Sequence, residues 1–300
     1  MVFARDSVSC GLTKMSDPKR HHHVAQFYLN GWCRTDGKLA VYKRLGNRVV
    51  VSWRTTKHTA YENHLYKLSA LPKEDQQWVE REVMSKAVDG PASQILKRLL
   101  ASDLMNFNSD DRTNWARFIL AQWYRSPEMV AKLRLEGSEA LFRALEENPE
   151  EYDAIRGNSV HASLQEWVDA NAKGLDEIVT LGRVLPQLIN DARAGQIIVN
   201  MLWQVLHLDC AKVDLLTSDR PAIRFQGLNS KTCMIAIPLS PHRLFVASNY
   251  DRGFQGHSPT KIVKAANNSM VSSARLRIYG TSEHHTPLIQ KLFGKGSHSA

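Results

Sequence analysis

Three adjacent histidines, His21, His22 and His23, stand near the start of the chain, after Lys19 and Arg20. Imidazole titrates near neutral pH and ligates metals, so a histidine run points to proton transfer or to metal binding. Extended neighbours alternate sides, so at most two of the three share a face. Two histidines alone make a weak metal site. A third or fourth ligand must come from elsewhere, a carboxylate being the natural choice. The plain alternative is a solvated strand start.

Two further segments place polar groups where apolar ones are expected. Trp115, Phe118, Ile119 and Gln122 fall at i, i+3, i+4 and i+7, and Arg125 extends that stripe. An unpaired buried polar group costs roughly 1–3 kcal/mol, so Gln122 and Arg125 must be hydrogen-bonded or face a cavity. Arg125 either pairs with a core carboxylate or grips an anion through its planar fork. In Thr217-Ser218-Asp219-Arg220-Pro221 an acid closes a β-type run. Asp219 either makes a local turn or projects into a cleft as a base or metal ligand.

The elements that position these groups read as β, then α, then β. The stretch 39–53 predicts a hairpin, with Leu39 and Val41 on one strand, Val49, Val51 and Trp53 on the other, and Gly46-Asn47 as the turn. Val79, Val83 and Ala87 predict a helix that Gly90 ends, with Pro91 in the first turn of the next. A helix through 110–125 ends near Arg125, and Ser126-Pro127-Glu128 starts another at once. Residues 137–150, 160–173 and 176–207 also favour helix. From Lys212 onward the runs are short and β-type. The expectation is an α+β fold: an N-terminal β-hairpin, a central helical bundle and a C-terminal antiparallel β-rich region in one large domain over 21–300. Its parts are β-rich over 21–70, helical over 75–208 and β-rich over 211–280, after a flexible tail at 1–20.

Lys and Arg number 39 against 30 Asp and Glu, a formal charge of +9 that favours nucleic acid, nucleotides or anionic surfaces as partners. The charges are dispersed, and no basic tail accounts for them. Cys10, Cys33, Cys210 and Cys233 include no C-x-x-C pair, which argues against a zinc finger. No stretch is apolar enough for a membrane helix and no secretory leader is evident, so cytoplasm is expected, with Met15 an alternative start. Arg156 to His161 and Arg252 to His257 share an Arg-x4-His spacing seen in some ribonucleases, but two copies in a basic chain mark it as incidental. Phosphate-loop, dinucleotide, H-E-x-x-H and G-x-S-x-G patterns are absent.

Taken in order, these segments resemble the family of proteins grouped as domain of unknown function 4238. The resemblance rests on His21-His22-His23-Val24-Ala25-Gln26-Phe27-Tyr28-Leu29, with Ala25 where the family usually has proline, and on the strand Leu39 to Lys43. It continues through Gln122, Arg125 and Pro127, through Thr217-Ser218-Asp219 with Pro221, and through Pro238 to Pro241. The resemblance implies no activity. It does imply that Asp89 fills an acidic position before the second helix, and that polar groups at element ends form a shared site in which His23 is a bystander.

The resulting expectation is a hydrolase acting on a phosphate-containing substrate, nucleic acid or nucleotide, with defence as one setting. His21, His22 and Asp219 are the candidate catalytic groups, and Gln122, Arg125 and Ser218 bind. A divalent ion (Mg, Mn or Zn) would sit on His22, Asp219 and Asp89. The competing expectation is a binding protein without catalysis, in which the same residues form a buried polar network.

Overall fold

In the computed structural model, which describes residues 19–147, 166, 174, 177–250, 254 and 256–294, the histidine run is a strand, β1 (Arg20–His22). The helix expected at 160–173, the Arg156–His161 spacing, Arg252 and most of the N-terminal tail lie outside the described residues. A single helical turn, α1 (Gln26–Leu29), follows β1. Next come β2 (Lys38–Leu45) and β3 (Arg48–Thr55), the expected hairpin, with Leu45 paired to Arg48. Gly46 takes φ +58°, which glycine adopts without Cβ strain, and closes the two-residue turn. β4 (Tyr61–Asn63) returns to pair antiparallel with β1.

The middle is helical, but its first helix is not α. Val79–Asp89 is a π-helix, whose i→i+5 bonding gives about 4.4 residues per turn. The expected stripe of Val79, Val83 and Ala87 assumed the α period. The buried set is instead Val79, Val83, Met84 and Val88, and Ala87 is only half-buried. The wider turn also aligns Glu80 with Asp89. Nine residues are about two and a half turns of an α-helix, which puts them on opposite faces, but about two turns of a π-helix, which puts them on the same one.

Gly90 caps this helix, as expected. Its N–H bonds the Ser85 carbonyl, closing the last π turn, and α2 (Gly90–Leu100) continues directly with Pro91 in its first turn. α3 (Ser109–Tyr124) opens on a capping box in which Asn108 and Asp111 bond each other's backbone N–H groups. Trp115, Phe118, Ile119 and Gln122 are all buried, as the stripe predicts. Arg125 caps the helix, and α4 (Pro127–Glu147) begins at once. A second π segment, Ile178–Val184, runs into α5 (Leu185–Ile189), and α6 (Ala192–Asn200) follows an Asp191 cap.

Two boundaries differ from the sequence reading. The helical stretch expected to reach 207 stops at Asn200, because Leu202–His207 forms β5. Strands β6 (Thr217–Ser218), β7 (Ile223–Phe225), β8 (Met234–Ser240) and β9 (Arg243–Ser248) follow, and β5 pairs along its length with β9. The sheet pairing overrides the local helical preference. Then α7 (Pro259–Ser273) interrupts the region expected to be β-rich. Its Ser258-Pro259 start repeats the Ser126-Pro127 signature and was legible on that basis. β10 (Ile278–Gly280) and α8 (Thr286–Leu292) complete the order.

The result is α+β, with two four-stranded antiparallel sheets of order β3-β2-β10-β6 and β5-β9-β8-β7. The main apolar cluster joins Tyr28, Val79, Leu96 and Phe118 to Ile237 and Phe245 on the second sheet. No described helix is long and apolar enough to cross a membrane.

Candidate functional site

Tyr28 holds three of the sequence motifs in one place. Its hydroxyl donates to the Pro238 carbonyl at 2.6 Å and lies 2.8 Å from Thr217 Oγ1. Trp32 Nε1 adds a bond to the Leu215 carbonyl at 2.8 Å. The segment after the histidines is thereby pinned to β6 and β8, which sets where the histidines stand.

His21 is fully buried and committed to the fold. Its Nδ1 accepts the Tyr66 N–H at 2.9 Å, so Nε2 carries the proton and meets Gln77 Oε1 at 2.7 Å. His22 is half-buried and bonds the Thr56 backbone, while its Nε2 is buried without a hydrogen-bond partner. Burial holds its pKa down at about 4, against the lift from the Thr56 bond and with the help of the Arg125 charge. His23, the expected bystander, has its ring enclosed. It is 1% exposed and neither ring nitrogen is hydrogen-bonded. Burial lowers its pKa to about 3, reinforced by Arg125 and Arg277, two cations within electrostatic reach.

Arg125 is wholly buried at the end of α3. Its Nε donates to the His23 carbonyl at 2.7 Å, its Nη1 pairs with Asp89 Oδ1 at 2.8 Å, and its own carbonyl accepts from Tyr66 at 2.5 Å. The expectation that Arg125 pairs with a core carboxylate thus meets Asp89. Nη2 is buried without an acceptor. Gln122, one turn earlier on the same face, is 3% exposed, and neither its amide oxygen nor its nitrogen is bonded. Glu80 comes up beside Asp89 from the π-helix. Burial pushes its carboxyl up to about 8, against the pull of Arg125, so it carries its proton at neutral pH. Asp89 is raised by burial too, opposed by Arg125.

Asp219 is held differently. Its carboxylate accepts the backbone N–H groups of Arg275, Leu276 and Arg277 at 3.0–3.3 Å, and its own N–H donates to the Arg277 carbonyl at 3.0 Å. Burial raises its pKa while those N–H groups pull the other way. It neither closes a turn on itself nor projects into a cleft. It clasps the segment that leads into β10. Ser218 accepts the Arg220 N–H at 3.0 Å and donates to Met270 Sδ at 3.1 Å, closing a local turn.

The clasped segment carries Arg277, whose side chain stands beside the Tyr279 hydroxyl and within electrostatic reach of His23. Its Nη1 is buried with no acceptor in bonding geometry. The fold therefore gathers His22, His23, Gln122, Arg125 and Asp89, and adds Glu80 and Arg277. His21, Ser218 and Asp219 make hydrogen bonds to other groups around them. Only the π period reveals Glu80, and nothing in the local sequence singles out Arg277.

Asp89 pairs with Arg125, and the Asp219 carboxylate accepts backbone N–H groups. Among the described residues no group of three or more His, Cys, Asp or Glu is placed to hold a metal ion. A cavity of about 660 Å³ lies elsewhere, lined by none of these residues.

The protein is of the α+β class, with a buried His23 that has Arg125 and Arg277 within electrostatic reach. The chain belongs to the family described as "Protein of unknown function (DUF4238)", which matches residues 20–284 and so spans every residue of the centre. Comparisons with curated proteins and with solved structures give no match.

Proposed function

We propose that the centre binds and hydrolyses a phosphate group on a small substrate, a nucleotide or the end of a nucleic acid. The observation that carries this is that Arg125 Nη2 and Arg277 Nη1 are both buried and unbonded. Neither nitrogen has an acceptor in bonding geometry, and both cations lie in electrostatic reach of one neutral histidine, with Arg277 also standing against the Tyr279 hydroxyl. Asp89 offsets Arg125 alone. A phosphate would supply the missing acceptors and the missing negative charge, and guanidinium forks match its oxygens. The burial favours a terminal phosphate over a site along a strand.

In this reading Arg125 and Arg277 stabilise charge developing on the phosphoryl oxygens, and Gln122 orients the group. A bound phosphate also raises the pKa of His22 and His23 toward neutrality, because its charge favours imidazolium. One of them then takes a proton from water as the water oxygen bonds phosphorus. The bond from phosphorus to the leaving oxygen breaks, and that oxygen takes the Glu80 proton. A divalent ion belongs to the proposal only as an assay condition, and no step runs through it.

The test is phosphate release from nucleotides and from DNA and RNA ends, with Mg²⁺, Mn²⁺ or Zn²⁺, comparing wild type with Arg277→Gln and His23→Asn. Removal of one such donor should lower the rate by about 10²–10³-fold. Equal, near-zero release in all three proteins contradicts the proposal. A scaffold reading draws on the way Arg125 braces His23, Asp89 and Tyr66 together. It expects both substitutions to change melting temperature alone. Toxicity on expression that Arg277→Gln relieves would favour catalysis and a defence setting.

A further inference from the structure

We infer a second binding site, for an amphiphile with a carboxylate head, in the cavity of about 660 Å³ between α7 and the sheet β5-β9-β8-β7. That volume is within the range of sites for drug-sized molecules.

Strand alternation builds its floor. Met234 and Ala236 on β8, with Leu244 and Val246 on β9, stand two apart along each strand and so share a face. The residues between them, Ile235, Ile237, Phe245 and Ala247, point the other way into the main core. The sheet thus has two apolar faces, and α7 covers the second only in part. Val263 packs onto that face fully buried, whereas Ala265, Ala266 and Ser269 line the cavity with short side chains that leave the space open.

Among the described lining residues the one charged side chain is Lys261. It stands in the first turn of α7, near the lining residue His257, and no described Asp or Glu lines the cavity. Lys261 is exposed, its flexible stem able to reach a head group while the apolar floor takes a hydrocarbon chain. The positive end of the α7 dipole adds to the same potential. An apolar chamber with a cationic mouth fits a medium-chain carboxylate, and it disfavours a cationic amphiphile of equal length. The cavity shares no lining residue with the arginine centre, so the two sites can be tested separately.

The probe is dodecanoate, titrated by calorimetry into the full-length protein, with dodecyltrimethylammonium as the opposite-charge control. Wild type should bind one dodecanoate with micromolar affinity and bind the ammonium at least tenfold more weakly. Lys261→Glu, at an exposed helix position, should weaken dodecanoate at least tenfold. Ala266→Trp should remove binding by filling the chamber, with the helical circular dichroism of both variants unchanged. Absence of dodecanoate binding up to millimolar concentration overturns the inference. So does binding that is equal in wild type and both variants, or equal for the two amphiphiles.

Discussion

Arg125 Nε donates to the carbonyl oxygen of His23 at 2.7 Å, joining the end of α3 to the residue that follows β1. The same guanidinium holds Asp89 at the end of the π-helix. One side chain therefore positions three elements around the centre. Replacing it by Met leaves the Asp89 carboxylate and the His23 carbonyl without their partner. Arg125→Met should destabilise the protein by about 3–5 kcal/mol in urea unfolding, the usual result of orphaning a buried charge. Adding Asp89→Leu should recover part of that loss, since an apolar pair leaves no uncompensated charge.

Asp219 acts on the centre at one remove. Its carboxylate fixes the backbone from Arg275 to Arg277, and Arg277 presents the charge. Asp219→Asn should lower stability by about 1–3 kcal/mol as N–H groups lose their acceptor. It should also weaken phosphate binding at least tenfold. In an Arg277→Gln background the same change should alter phosphate binding little, because the group it positions is already gone. Equal losses in the two backgrounds would count against this route.

The centre makes stability depend on pH in opposite senses. Glu80 is raised to about 8 from an ordinary value of 4.5, so between those limits the folded state holds a proton that the unfolded state releases. Its stabilising contribution is complete below 4.5 and is lost as pH rises to 8. His23 is lowered to about 3 from 6.5, so over that range the unfolded state binds the proton and stability rises with pH. Melting curves from pH 3 to 9 should show Glu80→Gln flattening the fall toward pH 8 and His23→Asn flattening the rise below pH 6.5. Each group sets a slope of at most about 1.4 kcal/mol per pH unit. Variant and wild-type profiles that run parallel would contradict the assignment.

The π register makes a separate prediction about neighbours in sequence. Val88 is buried and Ala87 is half-buried. Val88→Asp should therefore cost several kcal/mol by placing a charge in the core, while Ala87→Asp is tolerated. Thermal melts of the two variants decide it, and the reverse order would restore the α period.

That register marks where the sequence stops being legible. The hairpin at Gly46-Asn47 and the break at Ser126-Pro127 declare themselves through residues whose backbone preferences are strong. Gln122 and Arg125 do so as polar groups on an apolar stripe. Glu80 cannot, because it meets Asp89 only when the helix winds with a wider turn, and local residue preferences do not specify that. The surroundings of the histidines were hidden for a related reason. Alternation identifies which of them share a side, but the second cation within electrostatic reach of His23 is Arg277, brought from the far end of the chain by the Asp219 clasp. β5 was read as helix because its partner strand is also distant in sequence.

We propose Arg125 and Arg277 as the groups that receive a phosphate beside His23. The direct measurement is calorimetric titration of inorganic phosphate into wild type and Arg277→Gln at low salt. Wild type should bind one phosphate, with binding at least tenfold weaker in Arg277→Gln and no loss of fold. Phosphate binding that is undetectable in wild type at millimolar concentration, or equal in the two proteins, would contradict it.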